Sequence, residues 1–384
     1  MAGIEGPFWK IRADRGKQPR REPGPINLQR YAGSMAYSGI ATFMGLPLAL
    51  TPEDLKAGKV DVAIVGAPVD TSLGHRGAQY GPRYIRADER TMPHTPLMLQ
   101  NPDTRIKPFE VLTVVDYGDA AVDPLDLKAS CDEIRSVVKE IAAAGAVPVV
   151  LGGDHTILWP DAAAVAEVYG PGKVGVVHFD CHVDCANSVL GHNIAHGTPI
   201  RRLIEDEHIP AKNFVQIGLH SFIVPDDELL AWMLKNGMRS HHMAEVERLG
   251  FDAVLNKAIS EALDGPEYLY VSVDVDVMDP AFAPGTGTPE PGGLTPREIL
   301  PAVRRICHET PVVGFEVVEV APLLDPGITT VMNARRIILE ALTGLAQRKL
   351  GIKEKNYLDP VMAGKTRSMA KSTARMQSLK PKVG

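Results

Sequence analysis

The sequence predicts an α/β protein built on a mostly parallel sheet with helices on both faces. Three observations lead there. Short apolar runs recur along the chain and alternate with stretches of helical spacing. Several runs are followed directly by Asp or His, at the strand ends where open parallel sheets gather function. The balance of 45% hydrophobic and 23% charged residues over 384 positions is that of a globular chain, not of a fibre, a coiled coil or a disordered segment.

Taken in order, residues 1–60 begin with Lys17-Gln-Pro-Arg-Arg-Glu-Pro-Gly-Pro25. Proline fixes φ and removes a donor there, so this stretch reads as an N-terminal arm and loop. From Asp61, DVAIVGAPVD is a short apolar run ending in Gly and Pro, the pattern of a buried parallel strand opening into a loop. Similar runs stand at Val111–Val115, Val147–Leu151, Val174–Phe179, Phe214–Ile217, Tyr268–Val273 and Val312–Val318. The clearest helix between them places Leu127, Cys131, Ile134, Val138 and Ile141 on one face, with Asp132, Glu133, Arg135 and Lys139 elsewhere. Residues 61–350 are therefore expected to form one catalytic domain, and 351–384 a basic C-terminal tail.

Charge is unevenly spread. Residues 1–30 carry +4 and 361–384 carry +6, so against a net −6 the body between them stands at −16. An acidic body argues against nucleic acid as a partner and favours a small cationic substrate. With 5% aromatic residues, stacking platforms for bases are also disfavoured. Four cysteines without a Cys-x-x-Cys pair fit a reducing compartment, and no apolar run approaches the length of a signal peptide core or a membrane span. A soluble, cytoplasmic protein with no membrane partner is the expectation.

Three strand ends carry the chemistry. Gly152-Gly153-Asp154-His155 follows one run, Asp180-Cys181-His182-Val183-Asp184 another, and Asp274-Val275-Asp276-Val277-Met278-Asp279-Pro280 a third. In extended backbone, alternate side chains share a face, so Asp180, His182 and Asp184 can converge, as can Asp274 and Asp276. No Lys or Arg lies within these motifs, and buried carboxylates without cations cost several kcal/mol each. Metal is the natural counter-charge. The expected ligands are His155, Asp180, His182, Asp184, Asp274 and Asp276, an oxygen-rich set for two divalent ions, Mn²⁺ or Ni²⁺, and a poor one for structural zinc.

These motifs resemble the three signatures of the ureohydrolases, the arginase and agmatinase family, and the similarity runs from about Asp61 to Leu345 through Gly285-Thr-Gly-Thr-Pro289 and Gly292-Gly-Leu294. The resemblance implies a three-layer α/β/α ureohydrolase (arginase-like) fold around a central, mostly parallel sheet. It also implies a binuclear centre, usually manganese, and hydrolysis of a guanidino C–N bond. Trimeric or hexameric homo-oligomers, or a hetero-oligomer with a related subunit, are implied as well. By the same resemblance His196 is the loop histidine that moves protons and Glu319 the carboxylate that clasps the guanidinium. The implied mechanism has metal-activated hydroxide, held by Asp184, attack the guanidinium carbon, with His196 protonating the departing amine. Asp154 and Asp279 are expected to orient ligands, and Glu316 to face away into a structural salt bridge.

The chain departs from the family where Cys181 replaces the usual Ala and where Val183 and Cys185 replace polar residues. Few groups there could read an amino-acid head group, which argues against arginine. The segment Ser38-Gly-Ile-Ala-Thr-Phe-Met-Gly-Leu-Pro47 looks agmatinase-like. Trp159, four residues after His155, is expected as an aromatic wall, with His192 and His220 filling the space of a substrate tail. This reading favours a compact substrate: guanidine, methylguanidine or a biguanide such as metformin. The alternatives are agmatine or 4-guanidinobutyrate hydrolysis, with a formimidoyl-amino-acid hydrolase further off. From another class comes a non-catalytic partner subunit.

Overall fold

The computed structural model describes residues 21–29, 38–87, 96–206, 208–223 and 225–365. The first 20 residues, and the basic stretch beyond Lys365, lie outside the described residues. Eight strands form one sheet: β1 Val62–Ala67, β2 Val114–Asp119, β3 Val147–Gly152, β4 Val174–Phe179, β5 Phe214–Leu219, β6 Arg239–His242, β7 Tyr268–Asp274 and β8 Val312–Val318. They lie in the order β2-β1-β3-β8-β7-β4-β5-β6, and every pairing is parallel.

Strand parity explains the layers. In β1, Val62 and Ile64 join one apolar cluster and Ala63 and Val65 the other. Both faces are therefore covered, which is why the strands read as unbroken apolar runs. The first face is packed by helices Phe251–Ala262, Pro296–Glu309 and Thr329–Lys349, the second by Leu127–Ala143, Leu158–Tyr169 and Pro199–Glu205. The expected three-layer α/β/α architecture is the one observed, with a sheet that is wholly parallel.

Two strands differ from the sequence reading. β2 begins at Val114, because Pro108–Val111 forms a short helix and the strand continues into Asp-Tyr-Gly-Asp. Arg86 makes this polar extension tolerable: its guanidinium pairs with Asp116 at 2.8 Å and with Asp119. Strand β6, Arg-Ser-His-His, carries no apolar signal. It sits at the sheet edge with only His241 buried.

Register decides where function lies. Leu151 of β3 pairs with Val317 of β8, Asp274 of β7 with Val318 of β8, and Phe179 of β4 with Val273 of β7. The residues just beyond β3, β8, β7 and β4 therefore reach one level at the middle of the sheet. Gly153 allows the tightest approach there. A Cβ on it would stand 2.3 Å from the Ala67 carbonyl oxygen and 2.7 Å from that of Val69. Both are backbone atoms, so Gly153→Ala is expected to lower stability by about 1–3 kcal/mol, measured by urea denaturation of chelator-treated protein. An unchanged midpoint would show that the loop yields freely.

Candidate metal centre

After β3 the chain passes through Gly153 and Asp154 into the turn His155–Ile157. Asp154 fixes this turn. Its carboxylate accepts from Thr156 N at 3.0 Å, from Thr71 Oγ1 at 2.7 Å and from Thr71 N, tying the turn to the loop after β1. His155 is fully buried. Its Nε2 lies 3.0 Å from Ser272 Oγ, and its Nδ1 faces carboxylate oxygens of Asp180, Asp184 and Asp274 at 3.1, 3.1 and 3.2 Å. A second group forms beside it: His182 Nδ1 lies 3.0 Å from Asp276 Oδ2 and 3.6 Å from Asp180 Oδ1. Asp180 faces both imidazoles. All six residues expected as ligands are thus brought together.

Local backbone bonds aim the carboxylates. Asp180 Oδ1 accepts from His182 N at 2.5 Å, Asp274 Oδ1 from Asp276 N at 2.9 Å, and Asp276 Oδ1 from Cys181 N at 3.2 Å. One oxygen of each is held by the chain, and the other turns toward an imidazole. Asp184 adopts φ +39° and Glu319 φ +62°, a region that costs a non-glycine residue about 1–3 kcal/mol. Surrounding bonds hold both in place: Asp184 O accepts from Ile200 N at 3.2 Å, and Glu319 N donates to Gly153 O at 2.9 Å.

The electrostatics call for cations. Burial opposes a charged His155, yet Asp180, Asp184 and Asp274 carry it well above the ordinary imidazole range. Burial likewise opposes a charged His182, but Asp276 and Asp180 push it up to about 12. Asp180, despite burial, is held well below the carboxylate range by His155, His178 and His182. Burial and the charges of Asp276 and Asp180 push Asp274 upward. The carboxylates thus draw positive charge strongly, and His155 Nδ1 and Asp180 Oδ2 have no partner of hydrogen-bonding geometry. Two divalent ions, one beside each imidazole, fit this donor set: they give those orphaned atoms a partner and match the negative charge.

Glu319 and His196 stand over the centre. Glu319 Oε1 accepts from His155 N at 3.0 Å, while Oε2 is buried and unpartnered. Burial, then Asp274 and Asp154, push this carboxyl up. Leu73 N donates to His196 Nε2 at 3.2 Å, so a neutral ring carries its proton on Nδ1, which lies 3.9 Å from Glu319 Oε1.

Other expected residues are placed elsewhere. Trp159 does not wall the centre. Its indole N–H donates to Asp206 Oδ2 at 2.9 Å, and the Arg135 guanidinium lies 5.2 Å from the ring centroid. Trp159 lies in the helix Leu158–Tyr169 and packs with the second apolar cluster. His192 is exposed at the tip of a tight reversal closed by Val189 and His192. The His220 ring lies between the carbonyls of Gly218 and Glu290, at 2.5 and 3.1 Å. Asp279 accepts from Ala281 N and Gly292 N, ordering its own loop.

Among the described residues Glu316 meets no Lys or Arg, and its ion pair is with the His155 imidazole. It is fully buried, as are Asp161 and Tyr270, with His155 Nε2 at 3.8 Å, and the carboxyl and phenol oxygens of all three lack partners. Burial, then Glu316, push Asp161 well above the carboxylate range. His178 was also missed. It is buried in β4 with Nε2 3.2 Å from Asp180 Oδ2, its ring stacked on His155 at 4.9 Å. Lying two residues before Asp180 on the same strand face, it was detectable by parity.

A family model described as the arginase family matches residues 60–344. The mitochondrial agmatinase of Gallus gallus is 38% identical over 306 residues, covering 79% of this chain and 85% of that protein. Guanidinopropionase of Pseudomonas aeruginosa is 38% identical over 314 residues, 81% of this chain and 93% of that one. The solved structure of proclavaminate amidino hydrolase from Streptomyces clavuligerus superposes with a TM-score of 0.71 at 34% identity, covering 82% of this chain and all of that one.

Two outcomes follow from the electrostatics. Saturating divalent cation is expected to stabilise the chelated protein, by about 2.7 kcal/mol per site at a hundredfold excess over Kd; calorimetry finding no shift would count against the cage. For Asp161, whose folded pKa is raised, the native state binds the extra proton. Wild-type stability therefore falls as pH climbs from about 4, where the unfolded carboxyl titrates. Asp161→Asn removes that dependence and is expected to gain about 1–3 kcal/mol at neutral pH, with the gain vanishing in acid. Parallel pH–stability curves for the two proteins would refute this.

Proposed function

The chain belongs to the arginase family, a hydrolase of guanidino C–N bonds, and from that premise we propose that it converts a short ω-guanidino acid to urea and an ω-amino acid. One observation carries the substrate class. The loop Ser72–Gly77 lies against Gly287, with His75 N donating to Gly287 O at 3.0 Å, and a Cβ on Gly287 would stand 3.8 Å from the free Glu319 Oε2. The same loop carries His75 and Arg76, both exposed, and Arg76 has no acidic partner among the described residues. A guanidinium held by Glu319 would direct its tail toward a rim bearing an unpaired cation, which suits a carboxylate better than the ammonium of agmatine. The compact-substrate reading depended on Trp159, His192 and His220 narrowing the pocket; the bond from the Trp159 indole to Asp206, the exposure of His192 and the seat of the His220 ring between two carbonyls argue against it. The guanidinopropionase relative points the same way.

The residues perform the reaction as follows. Glu319 binds the guanidinium through its unpartnered oxygen, leaving the guanidino carbon facing the cage. His155 and Asp184, with Asp180 and Asp274, would hold one divalent ion; His182 and Asp276, with Asp180, the other. When bound, such a pair activates a water for attack at neutral pH. Asp184, whose side chain beside His155 is 12% exposed, would be placed to hold a proton released there. Collapse to urea requires the departing nitrogen to be protonated, because an amide anion is not a viable leaving group; His196, whose Nδ1 lies 3.9 Å from Glu319 Oε1, is placed to take up the proton released in the attack and hand it on, so that the ring ends neutral. Having both an intact cage and these two groups favours a catalytic subunit over an inert partner.

The test is a panel releasing urea or ammonia from 3-guanidinopropionate, 4-guanidinobutyrate, agmatine, guanidine and metformin, with metal analysis of the same sample. The guanidino acids are expected to lead, and turnover of guanidine or metformin alone would overturn this assignment. His196→Asn is expected to lower kcat by about 10²–10⁴-fold with metal content unchanged. Arg76→Ala is expected to raise KM for guanidino acids by about tenfold, roughly 1.4 kcal/mol, while leaving that for agmatine unaltered; equal effects on both would remove Arg76 from recognition.

A further inference from the structure

The loop that leaves β1 holds His196 at two points. Thr71 Oγ1 accepts from His196 N at 3.2 Å, and two residues on, Leu73 N donates to His196 Nε2 at 3.2 Å. One bond holds the main chain and the other the ring. Among the described residues the ring has no further hydrogen bond, and its Nδ1 faces Glu319 Oε1 at 3.9 Å.

The Thr71 hydroxyl is used to its full capacity. A hydroxyl offers one proton and two lone pairs. Asp154 Oδ2, which also accepts from Thr71 N, takes the proton at 2.7 Å. The lone pairs are left for His196 N and for the hydroxyl of Thr156 at 3.0 Å. This one oxygen joins the turn that carries His155, through Asp154 and Thr156, to the segment Ala195-His196-Gly197. Asp70 closes the same loop: its carboxylate accepts from Ser72 N at 3.1 Å, Gly77 N at 2.7 Å and Ala78 N at 3.1 Å. The amide that reaches Nε2 therefore stands on a braced loop.

Resting on the role of His196 given above, we propose that Thr71 is a positioning residue for proton transfer. Its hydroxyl fixes the histidine main chain so that Leu73 N meets Nε2 and the Nδ1 edge turns toward the carboxylate proposed to clasp substrate. A neutral imidazole accepts at one nitrogen and donates at the other, whereas the cation donates at both. The clamp thus selects the neutral ring with its proton on Nδ1, the state in which the ring begins and ends a turnover. Uptake of a proton at Nε2 requires the Leu73 bond to part. Replacing Thr71 by valine leaves Asp154 the amides of Thr71 and Thr156, so the metal turn stays braced, while His196 N loses its acceptor.

The experiment uses the full chain loaded with zinc, a closed-shell ion suited to magnetic resonance, with nitrogen-15 in its histidines. At a pH where His196 is neutral, wild type is expected to show the Nδ1-protonated tautomer, assigned by its loss in His196→Asn. Thr71→Val is expected to mix the two tautomers and to lower kcat by about 10–100-fold, with KM and ions per chain unchanged. Thr71→Ser is expected to recover the single tautomer and most of kcat. A wild-type ring protonated on Nε2, or a Thr71→Val protein with wild-type tautomer and kcat, would overturn the clamp and leave the hydrolase reading standing. If Thr71→Val does not fold, the wild-type tautomer and the Thr71→Ser protein decide the matter. A chain that releases no urea from any guanidino compound would overturn the hydrolase reading, and the tautomer would still judge the clamp.

Discussion

Four carboxylates and two imidazoles converge at the centre of the sheet, with no lysine or arginine among them, and much of the surrounding structure serves to hold them there. At an effective dielectric of 20, two like charges about 4 Å apart repel by about 4 kcal/mol, so the arrangement is unfavourable unless positive charge enters. The carboxylates hold both imidazoles above their ordinary range, which shows how strongly the site draws positive charge. Divalent ions would supply that charge in a stronger and better-placed form. Pre-organisation is what makes this possible: backbone amides fix one oxygen of Asp180, Asp274 and Asp276, and the cost of assembling the cage is met by folding.

The parallel sheet supplies the precision. Because β3, β8, β7 and β4 are neighbours in register, their carboxyl ends rise to one level though they lie far apart in sequence. Backbone bonds across that level then tie the motifs to one another. Glu319 N reaches Gly153 O, and the Glu319 side chain returns to His155 N. The carboxylate proposed to clasp substrate therefore also orients the histidine of the cage, so disturbance at either is transmitted to the other. The left-handed backbone of Glu319 and Asp184 belongs to this scheme, since strain of that kind persists where neighbouring bonds over-determine the conformation.

How much of this was legible depended on whether a residue's role was local. Strand ends followed by Asp or His were readable because alternation in extended backbone fixes direction, and all six expected ligands meet. β6 was not, since an edge strand with one buried residue needs no apolar pattern. Trp159 misled for the converse reason. It is near His155 in sequence, but the short turn His155–Ile157 gives way to a helix between them, and Asp206 and Arg135 hold the indole there. Asp161 and Glu316 lie 155 positions apart, and only the packing of a helix against β8 reveals that two carboxyls share a buried space. The basic tail stays outside the described residues, and its charge alone assigns it nothing.

The unusual groups around the cage fall on opposite sides of it, and that placement separates their effects. Glu316, with Asp161 and Tyr270 behind it, lies against the far nitrogen of His155, where a carboxyl can change how strongly the ring donates without touching an ion. Cys181 lies against the ring of His182, its sulfur 3.1 Å from Nδ1 and 3.6 Å from Nε2. A change at the first site acts through the basicity of a ligand and reaches the position beside His155. Asp180 faces both imidazoles, so the two positions share one carboxylate, and tighter binding at either draws on charge available to its neighbour.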